Sequence, residues 1–464
     1  MLKLRSHSIP LVSLLTVAVA VVLFACSNFR HTMFRSTAMD LGFFDQAVYL
    51  ISQGEFPAVS FWGEHFLGNH AEYSLYLLAG LYKIYPDARW LLLVQGISLA
   101  LGGWFVYRLA RQREIDENSA ITVSIAYWLY PLVFNVNLFD FHPEVMAIPA
   151  MLAAVELARK GRSLLGFSLC IVFILGTKAV MSLTVAAMGV WLWGVEKRRK
   201  AGAITLFGGL AWFVLATQVV IPIFRPEGVE AVYRYAYLGN SVREILVNLV
   251  LKPQLFLGQV FSWQSLSYLL MVAFPVAWGL SLRHLAPLLG GFPILAINIL
   301  ADHPLQTTLR HQYALPILPF LFLTVIETVA HRQGLRRKVV LAWSLAALLV
   351  LGNPNKLIRG FEVFDTWTAT REAIAQVPPE AKVLTDNFLA PHLTHRKTLL
   401  LIGYPSPKAI DLETPDTIVL NLRYPWIPTA EVARDLASHF SRHPEFETVY
   451  SRDEVVVFRR FSQD

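Results

Sequence analysis

Residues 9–27 read IPLVSLLTVAVAVVLFACS, and this stretch decides the fold. It carries no Asp, Glu, Lys or Arg, and a helix of about 20 apolar residues crosses the hydrocarbon core of a bilayer. Stretches of the same kind recur near 89–108, 119–138, 144–158, 163–178, 179–195, 201–222, 266–282, 285–301, 312–330 and 337–353, for about eleven crossings in all. The composition agrees. Of 464 residues, 55% are hydrophobic and only 16% are charged, against about 25% charged in a soluble domain. The mean hydropathy is +0.48. These values exclude a disordered chain, a fibrous repeat and an ordinary water-soluble enzyme. The expected fold is mainly α, a multi-pass transmembrane helical bundle.

Leu23-Phe24-Ala25-Cys26 partly resembles a lipoprotein cleavage box, but bulky Phe24 stands where a small residue is usual, so 9–27 is read as a retained span. Cys26 and Cys170 both lie in apolar runs and imply neither a disulfide framework nor a metal site.

The net charge of +7 is an orientation signal rather than an affinity for nucleic acid. With the N-terminus cytoplasmic, the short inner loops carry Lys3 and Arg5, Arg108 to Arg113, Arg159 to Arg162, Lys197 to Lys200, Arg283, and Arg332 to Lys338. The longer outer portions are poorer in Lys and Arg. An odd number of crossings then places the tail outside. Residues 1–353 are thus expected to form the transmembrane domain, with a long first outer loop at 28–88. Residues 354–464 are expected to form a small extracytoplasmic α/β domain. Strands are read at 382–384, 398–402, 417–420 and 454–458, and a helix at 429–442 with Thr429 as its N-cap. The segment 71–86, short and rich in tyrosine, is read as a helix lying in the interface.

Ionisable groups are costly inside a bilayer, and the expected crossings are nearly free of them. They gather instead on the outer side, in Asp40-Leu41-Gly42-Phe43-Phe44-Asp45-Gln46, in the run Glu64 to Glu72 with His65 and His70, in Asp140-Phe141-His142-Pro143-Glu144, at Lys178, and at Asp302-His303 and Arg310-His311. Wet loops are polar anyway, Asp40 suits a helix N-cap, and Pro143 suits a first helical turn. These clusters, however, mix acids with histidines and aromatics, and Asp140 to Glu144 sits in a tight connection where any turn residue would serve. A carboxylate at an apolar boundary can act as a general base, and nearby Lys, Arg and His suit a phosphate leaving group. Acid and histidine clusters could equally hold a divalent metal, without a fixed ligand spacing to argue for one. No Walker loop, dinucleotide fingerprint or nucleophile elbow is present.

The segments 40–46, His65-Phe66, Phe141-His142-Pro143-Glu144, Arg310-His311-Gln312-Tyr313-Ala314-Leu315-Pro316 with Pro319-Phe320, and Ala390-Pro391-His392-Leu393 with Arg396 occur in an order that resembles the bacterial membrane proteins grouped as domain of unknown function 2079. That family is similar in layout to class C glycosyltransferases (GT-C), down to a second crossing ending in Leu109-Ala110-Arg111. The resemblance implies a GT-C-like fold in the bacterial inner membrane. It also implies transfer of a sugar from a polyprenyl-phosphate donor to an acceptor on the outer face. The acidic residue serving there as base or metal ligand would fall on Asp40, with Asp45 second. Lys178, Arg310 or His311 would grip the lipid phosphate, and His65, His70, Asp140, His142 and Glu144 would complete the binding site. Family members often carry Lys-Glu-Asp near the fifth crossing, where this chain reads Lys178-Ala179-Val180. Two other readings stay open: a non-catalytic envelope assembly factor, and a transporter or lipid flippase, whose midplane ionisable residues are not evident here.

Overall fold

The computed structural model describes residues 8–332, 334–403 and 411–461; Lys3 and Arg5 lie outside the described residues. The first span is a 25-residue helix, Ser8–Thr32. Among the described residues, length and apolarity alone qualify four helices as crossings, and up to seven if each of three pairs bent by 43° to 51° counts as one span. The remaining expected crossings are shorter than expected. Residues 144–158, 163–178 and 179–195 contain the helices Ala147–Lys160, Leu164–Leu175 and Met181–Gly194, and 285–301 divides into a 3-10 turn and the helix Phe292–Leu300. The span expected at 119–138 is broken into Glu117–Trp128 and Pro131–Asn137, because Pro131 has no N–H to continue the ladder.

Small residues let the helices approach. At Gly102 and Gly103 an added Cβ would lie 2.0 and 2.2 Å from Tyr127 and Trp128, so the helix Arg89–Gln112 receives those two rings directly on its backbone. Gly189, Gly202 and Gly209 do the same between Met181–Gly194 and Arg199–Leu215, where the helices meet backbone to backbone.

Among the described residues, seven strands form two sheets. The hairpin β1 (Ala58–Val59) with β2 (Glu64–His65) lies in the segment after the first span. The second sheet contains β3 (Val383–Thr385), β4 (Leu399–Leu401), β5 (Thr417–Asn421), β6 (Phe446–Arg452) and β7 (Val455–Arg460), in the order β4-β3-β5-β7-β6. The pairs β3–β4 and β3–β5 are parallel; β5–β7 and β6–β7 are antiparallel. The strand β6 is absent from the sequence expectation, although Phe446 to Arg452 runs into a tight turn at Asp453-Glu454 with positive φ at both. Thr429 precedes the helix Ala430–Phe440 but makes no side-chain cap.

One face of this sheet packs on the helix 430–440 through Ile418, Leu420, Leu436 and Phe440. The other shares a core with residues 34–94, where Val383, Leu399, Val419 and Val457 meet Leu41, Phe43, Phe66 and Leu75. Hydrogen bonds reinforce that seam: the Ala38 N–H donates to Asn387 Oδ1 at 3.0 Å and the Leu399 N–H to Ser60 Oγ at 2.8 Å.

Candidate functional site

Asp40 lies within a π-helical turn, Ala38–Gly42, so it does not cap the helix that follows. Thr37 stands at the cap position, with its hydroxyl 3.0 Å from Asp40 Oδ2 and 2.8 Å from Asp140 Oδ2. On the other side of Asp40, His142 Nε2 is 3.3 Å from Oδ1. Burial raises the Asp40 carboxyl, but the hydrogen bond and charge of His142 and the Thr37 hydroxyl outweigh it and hold the group below its ordinary value of 3.8. Its side chain is still 25% exposed, so it is reachable.

Asp140 is different. It is buried, paired with the Arg30 guanidinium, and accepts the Thr37 N–H at 3.0 Å. Its φ of 90° is rarely adopted by residues other than glycine. The Arg30 pair and a 2.8 Å bond from Gln95 Nε2 to its carbonyl hold it there. The turn sends His142 toward Asp40 and, two residues on, Glu144 toward Lys178, whose Nζ is 2.8 Å from Glu144 Oε1.

Glu144, Lys178 and His70 line a cavity of about 290 Å³. Its walls are mainly apolar (Val180, Leu183, Phe213, Ile221, Leu246 and Ile297 among them), and Arg234, Gln306 and Tyr313 complete the polar end. Arg234 lies over the Tyr313 ring at 5.3 Å and donates to Gln306 Oε1 at 3.2 Å. Glu72, fully buried, accepts the His70 N–H at 3.1 Å. Burial, reinforced by Glu144 and opposed by Lys178, pushes its carboxyl up to about 8, so it is neutral at pH 7. Burial and the nearby cations drive His70 well below its ordinary value. Lys178 thus pairs with Glu144 and interacts electrostatically with Glu72, both from other segments than the Lys178-Ala179-Val180 run itself.

The other expected site residues separate. Asp45 is 1% exposed and sealed by the Tyr82 hydroxyl, the Thr394 hydroxyl and His395 Nε2 at 3.1 Å. It joins the helix Phe43–Gln53 to the C-terminal region and does not share a partner with Asp40. His65 stacks on Phe224 at 4.1 Å, and burial lowers its ring to about 4. Arg310 is exposed. His311 meets Phe139 edge-on at 4.6 Å, and Phe139 also stacks with His142 at 5.1 Å. Burial first, then Lys356, lowers His311 to about 4.

Glu72, Arg30, Arg234, Tyr313 and Lys356 escape the sequence reading as site residues. The signal for Arg234 was the run Tyr233-Arg234-Tyr235 between two spans, too polar for lipid. Among the described residues, no three of His, Cys, Asp and Glu gather as a metal site. Asp40 has one imidazole, a hydroxyl and a nearby ammonium around it, and Asp140 is neutralised by Arg30, so these residues do not fit a divalent ion.

Fold and site together define a multi-pass helical membrane protein with a mixed-sheet region docked over one end of its bundle. The same fold occurs in ArnT from Cupriavidus metallidurans bound to undecaprenyl phosphate, at 13% identity over 99% of both chains with a TM-score of 0.57. ArnT in the apo state matches at 12% identity over 98% of both chains, with a TM-score of 0.55. At these identities the likeness is one of fold. The chain belongs to the predicted membrane protein family DUF2079, whose family model matches residues 30–457. No curated protein matches it.

Proposed function

We propose that this protein is a class C glycosyltransferase that moves a sugar from a polyprenyl-phosphate donor to an acceptor at the extracytoplasmic face of a bacterial inner membrane. One observation carries the reading. The segment 140–144 sets His142 against a reachable carboxylate, Asp40, and Glu144 against the ammonium of an apolar-walled cavity. A base and a cationic cavity therefore stand back to back.

Undecaprenyl phosphate is bound by ArnT, which shares the fold. A ligand of that class would lay its prenyl chain on the apolar walls and its phosphate toward Lys178 and Arg234. In the transfer, the acceptor oxygen bonds to the sugar C1 while its proton passes to Asp40. The bond from C1 to the phosphate oxygen breaks, and its electron pair leaves with the lipid phosphate. The charge that develops there is met by Lys178 and Arg234, donors already held in place by Glu144 and Gln306. In this scheme Asp45 is an anchor rather than a second base. Arg310 and His311 lie on the acceptor side, and His65 supports the hairpin. Residues 1–353 form the membrane domain and 354–464 the outer domain, with the N-terminus cytoplasmic.

Asp40→Asn tests the base. A positioned general base is worth about 10²–10⁴ in rate, so transfer from a polyprenyl-phosphate sugar should fall by that factor while retention of the lipid phosphate stays unchanged. Full activity of Asp40→Asn would remove Asp40 from the role.

A further inference from the structure

Lys356 is the second residue of the short helix Asn355–Glu362, just past a 51° bend after Arg337–Leu351. Its Nζ is shielded from solvent and has no hydrogen-bond acceptor among the described residues. The ammonium sits 3.8 Å above the Phe139 ring. Phe139 is also the ring on which His142 stacks and which His311 meets edge-on, so one aromatic side chain holds three groups around Asp40. The carboxylates that attract Lys356 are already engaged, Asp140 by Arg30 and Thr37, Asp40 by His142 and Thr37. Arg30 and Arg310 add positive charge to the same region, so three cations face two carboxylates.

A shielded ammonium lacking an acceptor is a costly arrangement unless a partner arrives to supply one. The region is open to a visitor: the Asp40 side chain is 25% exposed, Met39 is 38% exposed, and Arg310 is on the surface. It is distinct from the lipid cavity, whose lining includes Lys178 and Glu144 but not Asp40, Phe139, His311 or Lys356.

We propose that Lys356, with Phe139 and His311, forms a second anion site beside Asp40, and that the acceptor is therefore a molecule bearing a phosphate or carboxylate group near its reacting hydroxyl. The bound anion is a handle and is not consumed; the hydroxyl beside it gives its proton to Asp40 and bonds to the sugar. The word acceptor rests on the transferase reading, whereas the anion site rests on the Lys356 geometry alone.

The test uses the full chain in lipid nanodiscs, with acetylation of individual lysines followed by mass spectrometry. Methyl phosphate and propionate are the probes for the two anion types. When the site is nine-tenths filled, acetylation of Lys356 should slow about tenfold, with Lys178 unaffected; whichever probe protects at lower concentration identifies the handle. A polyprenyl phosphate should do the reverse, protecting Lys178. If neither anion protects Lys356, the second site is overturned, whatever the lipid does. If the lipid fails to protect Lys178, the cavity assignment falls while the anion site stands. Lys356→Met gives an independent readout. It removes an uncompensated charge, so the free protein should unfold at the same or a higher temperature, and the thermal stabilisation by the protecting anion should vanish. Stabilisation that persists in Lys356→Met overturns the proposal.

Discussion

At neutral pH Asp40 is ionised because His142 and Thr37 outweigh a burial that acts in the opposite direction. The consequence is testable through the pH profile. His142→Phe keeps a ring against Phe139 but removes the hydrogen bond and the charge at Asp40 Oδ1. Burial then dominates, the carboxyl rises, and the base becomes protonated at higher pH. The acid limb of kcat/KM should therefore move upward in pH, with the activity lost at pH 5 recovered at pH 8; an unmoved limb would detach His142 from the base. In the sequence Asp40 stands out as part of the acid and histidine clusters gathered on the outer side, and it is the resemblance that implies a base or metal ligand there; the structure adds the neighbours His142 and Thr37. Asp45 stands second there, and nothing local marks the tyrosine, threonine and histidine that seal it from 37 to 350 residues away. Lys356 was illegible for the same reason: its meaning comes from Phe139, over 200 positions earlier in the chain.

Elements were legible where apolar length alone decides them, and less so where neighbours do. The long helices at 8–32 and 89–112 follow directly from their composition. The π turn at 38–42 and the strand β6 depend on packing partners and left little periodic trace. The glycines show how specific that packing is. A Cβ at Gly209 would lie 2.6 Å from both Ala186 N and Ser182 O, backbone atoms that cannot swing aside. A Cβ at the adjacent Gly208 meets nothing within 4 Å. Overpacking a tight contact costs about 1–3 kcal/mol, and a glycine in a helix interior already costs about 1 kcal/mol relative to alanine. Gly209→Leu should thus lower the thermal midpoint in detergent by several degrees, whereas Gly208→Leu should leave it level or raise it. Equal effects of the two would mean that the helices Met181–Gly194 and Arg199–Leu215 do not pack as described.

For the molecule as a whole, the side chains at the helix ends show how the short helices are ordered. The helices Ala147–Lys160, Leu164–Leu175 and Met181–Gly194 are 12 to 14 residues long, about 18–21 Å at 1.5 Å per residue, and so fall short of a 30 Å hydrocarbon core. Yet their ends alternate. Arg159 pairs with Glu196 and Glu327 at 2.7 Å each, and Arg113 reaches Glu327 at 2.8 Å, gathering residues 113, 159, 196 and 327 at one end. Lys178 and Glu144 pair at the other. Arg332 donates to the Trp278 carbonyl at 2.7 Å, while Asp302 donates its N–H to the Arg234 carbonyl at 2.8 Å, continuing the alternation. Eleven passes are expected from the apolar runs, whereas length and composition qualify four helices, or seven with each bent pair taken as one span, among the described residues. The core that the β3–β7 sheet shares with residues 34–94 keeps the two together, and the proposed topology, with an odd number of passes, puts both opposite the N-terminus. In that proposed topology the basic residues at Arg159 to Arg162 and Lys197 to Lys200 lie at the cytoplasmic end. Reporter fusions settle the point: a fusion at residue 200 should be active only as a cytoplasmic reporter and one at residue 400 only as an extracytoplasmic one. Both on the same side would require an even number of passes between them and would overturn the proposed topology.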